Sequence, residues 1–197
     1  MFLKLKKVIN FFSSNKLHIR NLDLGGGFGV GYQNNESIDL FKLNEILTKC
    51  FPNHDYNISF EPGRYILANA GFLITRILTI KKNANINFII TDAGMHTFLR
   101  PALYNSYHKI ISLTKNYKNK LYTIAGPICE SSDILAKNIS LPEQKRDFLL
   151  AICDVGAYGS VMASNYNSKC LPAEVLINQN NYKIIRNPQT IDELINK

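Results

Sequence analysis

Arg100 and Tyr104, Cys129 and Glu130, Glu61 and Arg64, and Tyr158 all stand in short segments marked by glycine or proline. In Asp92-Ala93-Gly94-Met95-His96-Thr97-Phe98-Leu99-Arg100-Pro101-Ala102-Leu103-Tyr104 the guanidinium of Arg100 can fork onto a carboxylate through two parallel hydrogen bonds. Tyr104 follows four residues on, so in a helix both side chains share a face and can meet one group. Gly126-Pro127-Ile128-Cys129-Glu130-Ser131 sets a thiol beside a carboxylate. Cys129 reads as a proton donor, as a nucleophile, or as the small buried hydrophobe that a lone cysteine commonly is. Glu130, if buried, needs a partner. Tyr158 sits between Gly156 and Gly159, neighbours that pack it poorly. That suits a ring that meets a ligand, and it also suits a turn tyrosine. Ala163-Ser164-Asn165-Tyr166-Asn167 follows.

Two further segments could serve an anion and a ring. In Asp23-Leu24-Gly25-Gly26-Gly27-Phe28-Gly29 no Cβ stands between the backbone amides and an approaching phosphate. The same glycines also make a simple turn, and the residues alone leave both readings open. Glu61-Pro62-Gly63-Arg64 presents two charges at the end of a strand, or a turn with two solvated charges.

The elements that must position these residues follow from the periodicity. Leu5, Val8, Ile9 and Phe12 share a face of a helix over Leu3 to Phe12. A strand over Leu17 to Leu24 runs into the glycines. Asn35 or Ser37 caps a second helix, with Ile38, Phe41 and Ile46 on its apolar side, which ends near Cys50 before Pro52. Tyr56 to Phe60 is a second strand, and strand–helix–strand is the pattern of a parallel sheet. After Gly71 the texture changes to antiparallel β. The strands are Phe72 to Lys81, Ile86 to Thr91, Lys109 to Lys115, Leu121 to Ala125, Phe148 to Val155 and Ala173 to Ile177, before a short helix over Ile191 to Lys197. The division is residues 1–70 in an α/β region and 71–197 in a β domain.

Composition excludes several function classes. The chain has 197 residues, 46% hydrophobic and 19% charged, an ordinary globular balance. Its net charge of +8 raises a nucleic-acid reading. The lysines do not concentrate into one long run, however, and no nucleic-acid-binding motif accompanies them, so a solvated basic surface is expected. Cys50, Cys129, Cys153 and Cys170 form no C-x-x-C pair, so no metal site and reduced thiols are expected. Lysines interrupt the apolar run of Met1 to Asn15, and no stretch reaches the roughly 20 apolar residues of a membrane span.

Taken in order, DLGGGFG, EPGR, DAGM with RPALY, GPICES, and GAYG with ASNYNS resemble the diaminopimelate decarboxylase family, from about Leu22 to Ile177. The resemblance implies the C-terminal part of an alanine-racemase-like α/β barrel followed by an antiparallel β domain. It implies pyridoxal 5'-phosphate as cofactor, with Gly25, Gly26 and Gly27 at its phosphate, Glu61 at its pyridine nitrogen, and Gly63, Arg64 and Tyr158 in contact with it. It places Arg64, Arg100 and Tyr104 at the substrate carboxylate, Glu130 at the far amino group and Tyr158 beside the substrate. Cys129 is then the proton donor. A cytoplasmic dimer in which Cys129 reaches the partner subunit's site is implied, with no nucleic-acid or membrane partner.

The family's lysine motif, Y-A-x-K-A-N, is absent from these residues, and Met1 aligns with the middle of the barrel. The expectation is a chain inactive alone and complemented by a separate N-terminal half, or else a non-catalytic remnant that binds a ligand or a subunit. An ornithine or arginine decarboxylase is disfavoured by Arg100, because those substrates are cationic at the far end.

Overall fold

The computed structural model describes residues 2–32, 37–52, 56–114 and 118–196. The chain divides into two compact units, Met1–Ile66 and Leu67–Lys197, a few residues before the expected division at 70 and 71.

In the first unit, α1 (Phe2–Ser14) leads to β1 (Asn21–Asp23), α2 (Leu40–Cys50), β2 (Asn57–Ser59) and α3 (Gly63–Leu67). Strands β1 and β2 pair in parallel, Leu22 opposite Ile58, with α2 in the connection between them. The cap of α2 is Asp39, whose carboxylate accepts from the amides of Phe41 and Lys42 at 3.0 and 3.1 Å. An ionised cap at that end satisfies two orphan donors and favours the helix dipole. Ser37 lies two residues too early for this, and Asn35 lies outside the described residues. The helix stops at Cys50 as expected, with Phe51 as its C-cap before Pro52. The residues expected on the apolar side of α2 are not buried. Phe41 is 86% exposed and Ile46 is 46% exposed. Val8 of α1 is likewise exposed. Periodicity identifies an apolar stripe but not what covers it.

The second unit is a nearly closed barrel-like sheet with a separate hairpin. Its strands are β3 (Leu73–Asn83), β4 (Ile86–Thr91), β5 (Ile110–Ser112), β6 (Asn119–Ala125), β7 (Ile134–Pro142) and β8 (Leu149–Ile152), in the order β5-β8-β3-β4-β6-β7. Alternation on β3 sends Thr75 and Ile77 inward and Ile74 and Leu78 outward. Ile77, Ile89, Phe98, Ile124, Leu150 and Ile152 fill the interior at 1% exposure or less. Each contributes about 1.5–3 kcal/mol by burial, and truncating one, as in Ile89→Ala, costs about 2–5 kcal/mol. The outer strands are clasped by Gln144, whose Nε2 donates to Ser112 Oγ at 3.0 Å and to the Pro142 carbonyl at 2.6 Å. Its amide donates to Tyr122 Oη at 3.2 Å.

All ladders of this sheet are antiparallel except β4 with β6, which pair in parallel. A parallel pair needs a long crossover. Here that crossover, from Thr91 to Asn119, carries α4 (Arg100–Tyr104) and β5. Strand β7 and the second strand of the hairpin β9 (Glu174–Asn178) with β10 (Asn181–Arg186) were not anticipated. Lys137, Asn138 and the Asn-rich hairpin turn weaken their β signal. The C-terminal helix, α5 (Ile191–Ile195), opens on a capping box of Thr190 and Glu193.

Candidate active site

In the first unit the glycine loop leaves β1 with its backbone fixed on both sides. Leu24 N donates to the Ser59 carbonyl at 3.0 Å, and Asp23 Oδ1 accepts from Gly25 N at 2.8 Å. Gly25 and Gly27 hold φ of +70° and +84°, the left-handed region that glycine enters without strain. A Cβ on Gly26 would lie 2.6 Å from the Glu61 carbonyl oxygen, so the loop can rest on the next strand end only as glycine. Glu61 N donates to the Gly25 carbonyl at 2.8 Å, which brings the glycines and Glu61 together. Phe28 packs edge-on against Phe60 at 5.3 Å between ring centroids. Around Gly25, Gly27, Gly29 and Gly63 a Cβ would meet nothing within 4 Å. The bare backbone of this loop, open at Gly25 and Gly27, fits a phosphate that approaches the amides of Gly26 and Gly27 closely. Glu61 is exposed and Arg64, near the start of α3, is half-buried.

In the second unit Arg100 begins α4 with Pro101 beside it, a position where proline costs nothing. Arg100 is 6% exposed, and its Nε is buried with no hydrogen-bond partner among the described residues. Its guanidinium carbon lies 5.7 Å from the Tyr104 ring centre and 5.5 Å from that of Tyr158. Both rings remain substantially exposed. The structure thus gathers the rings of Tyr104 and Tyr158 around the Arg100 cation. Tyr158 has φ of +63°, a strained value for a ring-bearing residue. Its glycine neighbours explain how that is held. A Cβ on Gly156 would lie 2.0 Å from the Leu67 carbonyl oxygen, and one on Gly159 would lie 2.3 Å from that of Val155.

Cys129 and Glu130 are exposed, so neither is the buried group considered from the sequence. Glu130 Oε2 accepts from Tyr166 Oη at 3.3 Å. Tyr166 was quoted in a motif without a role, and here it meets the candidate ammonium ligand. Its segment is tied to the Arg100 turn by Ser164 N, which donates to the His96 carbonyl at 2.8 Å.

Three buried polar groups had no sequence signal that singled them out. His108, edge-on to Phe98 at 4.6 Å, bonds through Nδ1 to the Cys153 carbonyl at 3.1 Å. Burial pushes its pKa down, that carbonyl raises it, and the charge of Arg100 lowers it again. Burial also pushes His96 down, an effect the carboxylate of Asp133 opposes. Asp133, 2% exposed, stands two residues beyond the segment read from the sequence. Gly94 and Gly126, which pack on it, were its only trace. Cys153 is buried, and burial raises its pKa. Among the described residues no cluster of His, Cys, Asp and Glu could hold a metal ion, and no helix is long and apolar enough to cross a membrane.

A glycine-bordered α/β segment followed by a nearly closed sheet with these loops defines a class. Residues 23–156 match the pyridoxal-dependent decarboxylases over their C-terminal sheet domain, and the chain belongs to that family. Within it, the chain is similar to proteins named diaminopimelate decarboxylase. It is 39% identical over 181 residues to that of Zymomonas mobilis, covering 90% of this chain and 42% of the relative. The crystal structure of the Helicobacter pylori diaminopimelate decarboxylase complexed with L-lysine superposes with a TM-score of 0.92 at 38% identity, covering 99% of this chain and 48% of that one. The M. jannaschii diaminopimelate decarboxylase in complex with L-lysine gives 0.91 at 34% identity, covering 98% and 46%. The chain therefore spans about half the length of the relatives it matches.

Proposed function

We propose that this chain carries part of the active site of a diaminopimelate decarboxylase, which removes one carboxylate of meso-2,6-diaminopimelate to give L-lysine and CO2 in lysine biosynthesis. The observation that carries this reading is the buried Arg100, with an unpartnered Nε between two tyrosines. A buried guanidinium nitrogen with no partner among the described residues is unfavourable, so the position suits a ligand carboxylate. Diaminopimelate has one at its non-reacting end, whereas ornithine and arginine present cations there. The solved relatives that hold L-lysine, the product of this reaction, support the assignment.

On this reading residues 1–70 belong to the cofactor-binding barrel and 71–197 to the β domain. Arg100, Arg64 and Tyr104 hold the far carboxylate, and Glu130, oriented by Tyr166, accepts from the far ammonium. Pyridoxal 5'-phosphate, when bound, supplies the electron sink for the pair left by C–C cleavage. Gly26 and Gly27 would offer amides to its phosphate, while Gly25, whose amide is held by Asp23, makes the turn that presents them, with Gly63 and Arg64 alongside. Glu61 would keep the proton on its ring nitrogen, and Tyr158 would contact it. Cys129 delivers the proton from Sγ to the carbon that has lost CO2. Turnover requires the family's lysine-bearing segment. The working assembly is a cytoplasmic homodimer or a pairing with that segment as a separate chain.

The test combines this chain with an N-terminal half of the family that carries the lysine motif, and follows CO2 release and L-lysine formation from diaminopimelate. Product formation that depends on both chains is expected. Ligand binding without product, alongside an active full-length relative, refutes the reading.

A further inference from the structure

The carboxylate of Asp133 accepts from two loops at once. Oδ1 takes the amide of Met95 at 2.6 Å, and Oδ2 takes the amide of Ile128 at 2.8 Å. Met95 lies in the turn that runs into Arg100, while Ile128 immediately precedes Cys129 and Glu130. The fit around the carboxylate is close on both sides. A Cβ on Gly94 would lie 2.7 Å from both Asp133 oxygens. One on Gly126 would lie 2.3 and 2.4 Å from them and 2.4 Å from the Gly94 Cα. The backbone of Asp133 also closes its own loop, its carbonyl accepting from Gly126 N at 3.0 Å and its amide donating to the Glu130 carbonyl at 3.1 Å.

A carboxylate that only shaped its own loop would need amides from that loop alone. This one spends an oxygen on each of two loops far apart in sequence, and it is nearly fully buried. Charge-assisted bonds of this kind are stronger and more directional than neutral ones. We propose that Asp133 is a positioning residue that fixes the Arg100 turn against the Cys129–Glu130 loop, so that a chain lending Arg100 to one site and the Cys129–Glu130 loop to its partner's holds the two at one spacing. The proposal rests on the function proposed above.

Asp133→Asn is nearly isosteric but turns an NH2 group toward a backbone N–H, donor facing donor. In the full chain, amide hydrogen exchange at Met95 and Ile128 is expected to quicken at least tenfold, while Ile89 and Ile124 in the barrel stay protected. In the two-chain enzyme kcat/KM for diaminopimelate is expected to fall by about a hundredfold, the scale on which a shift of about 1 Å acts. Asp133→Glu, which keeps the charge, is expected not to rescue, because Gly94 and Gly126 leave no room for another methylene. Should Asp133→Asn fail to fold, Gly94→Ala makes the same comparison, displacing the carboxylate while retaining it. Unchanged exchange at both amides overturns the proposal, as does faster exchange with unchanged kcat/KM. Uniformly faster exchange that includes Ile89 and Ile124 marks a global stabiliser and overturns it too. A wild-type pair without decarboxylase activity refutes the proposed function, and exchange alone then decides the clamp.

Discussion

Replacing Arg100 by lysine keeps a positive charge in the pocket and removes the planar fork. The guanidinium lies 5.5–5.7 Å from two tyrosine ring centres and is 6% exposed, so its orientation is set by the walls around it. An ammonium in the same space is a point charge that cannot make two parallel hydrogen bonds to one carboxylate. A hydrogen bond to a charged group is worth about 1.5–3 kcal/mol, which corresponds to about ten- to hundredfold in kcat/KM. Weaker stacking on Tyr104 and Tyr158 adds about 0.5–1 kcal/mol at such partly exposed rings. Initial rates of CO2 release from diaminopimelate by the two-chain enzyme measure the loss, and cofactor titration of the same variant is the control. The expected outcome is a ten- to several-hundredfold fall in kcat/KM with little change in pyridoxal 5'-phosphate affinity. A variant that loses cofactor while keeping its preference for diaminopimelate over lysine-like amines places Arg100 at the phosphate and refutes the reasoning.

Cys129→Ala removes the proposed proton donor, and a fall of about 10²–10⁴ in kcat is expected, since that is the usual contribution of one general acid. Unchanged turnover refutes its role. His96 and His108 are both pushed below the ordinary value of 6.5 by burial. In the acid window below 6.5 the unfolded chain therefore binds more protons than the folded one, and stability falls as pH drops through it. Urea midpoints at pH 7.5 and 5.5 should differ in that direction, by less in His108→Phe, where Phe98 still has a ring to pack on. Equal midpoints in the wild-type chain contradict this. Gln144→Ala opens the clasp between Ser112 and the Pro142 carbonyl, and leaving such buried groups unpaired costs about 1–3 kcal/mol. Thermal unfolding reads that cost, and an unchanged Tm rules out the clasp.

Local rules carried well where one segment decides its own structure. The stop of α2 before Pro52, the strand at Ile86–Thr91 and the helix at Ile191–Ile195 are of this kind. They failed where a distant segment decides. Asp39 displaced Ser37 as the cap by a local margin that several polar residues left open. Periodicity puts Phe41 and Ile46 on one apolar side, yet it is silent about the surface that must cover them. The parallel pairing of β4 with β6 is a choice between registers that no single strand encodes. At the candidate site, cations and rings between turn residues singled out Arg100, Tyr104 and Tyr158, and the structure brings the three together. Asp133 was not legible, because its contacts with Met95, Gly94 and Gly126 exist only once the fold brings those segments to it.

The placement of the second unit's candidate-site loops follows from the parallel pairing of β4 with β6. On the strands of this sheet, inward side chains are committed to packing and outward ones alternate away from them, so a strand can offer few convergent groups. A hairpin between β4 and β6 would have left only a tight turn. The parallel register instead forces the chain from Thr91 to Asn119 across the sheet, which gives room for α4 and frees Arg100 from the alternation. Phe98, fully buried, pins that crossover to the core two residues before Arg100. Asp133, at the start of β7 on the neighbouring strand pair, then reaches back to the same turn. The loop that bears Cys129 leaves β6 at Ala125, the residue paired with Ile90 across the parallel ladder. The two candidate-site loops thus spring from the ends of adjacent parallel strands. That is where parallel sheets generally place their ligand-binding groups.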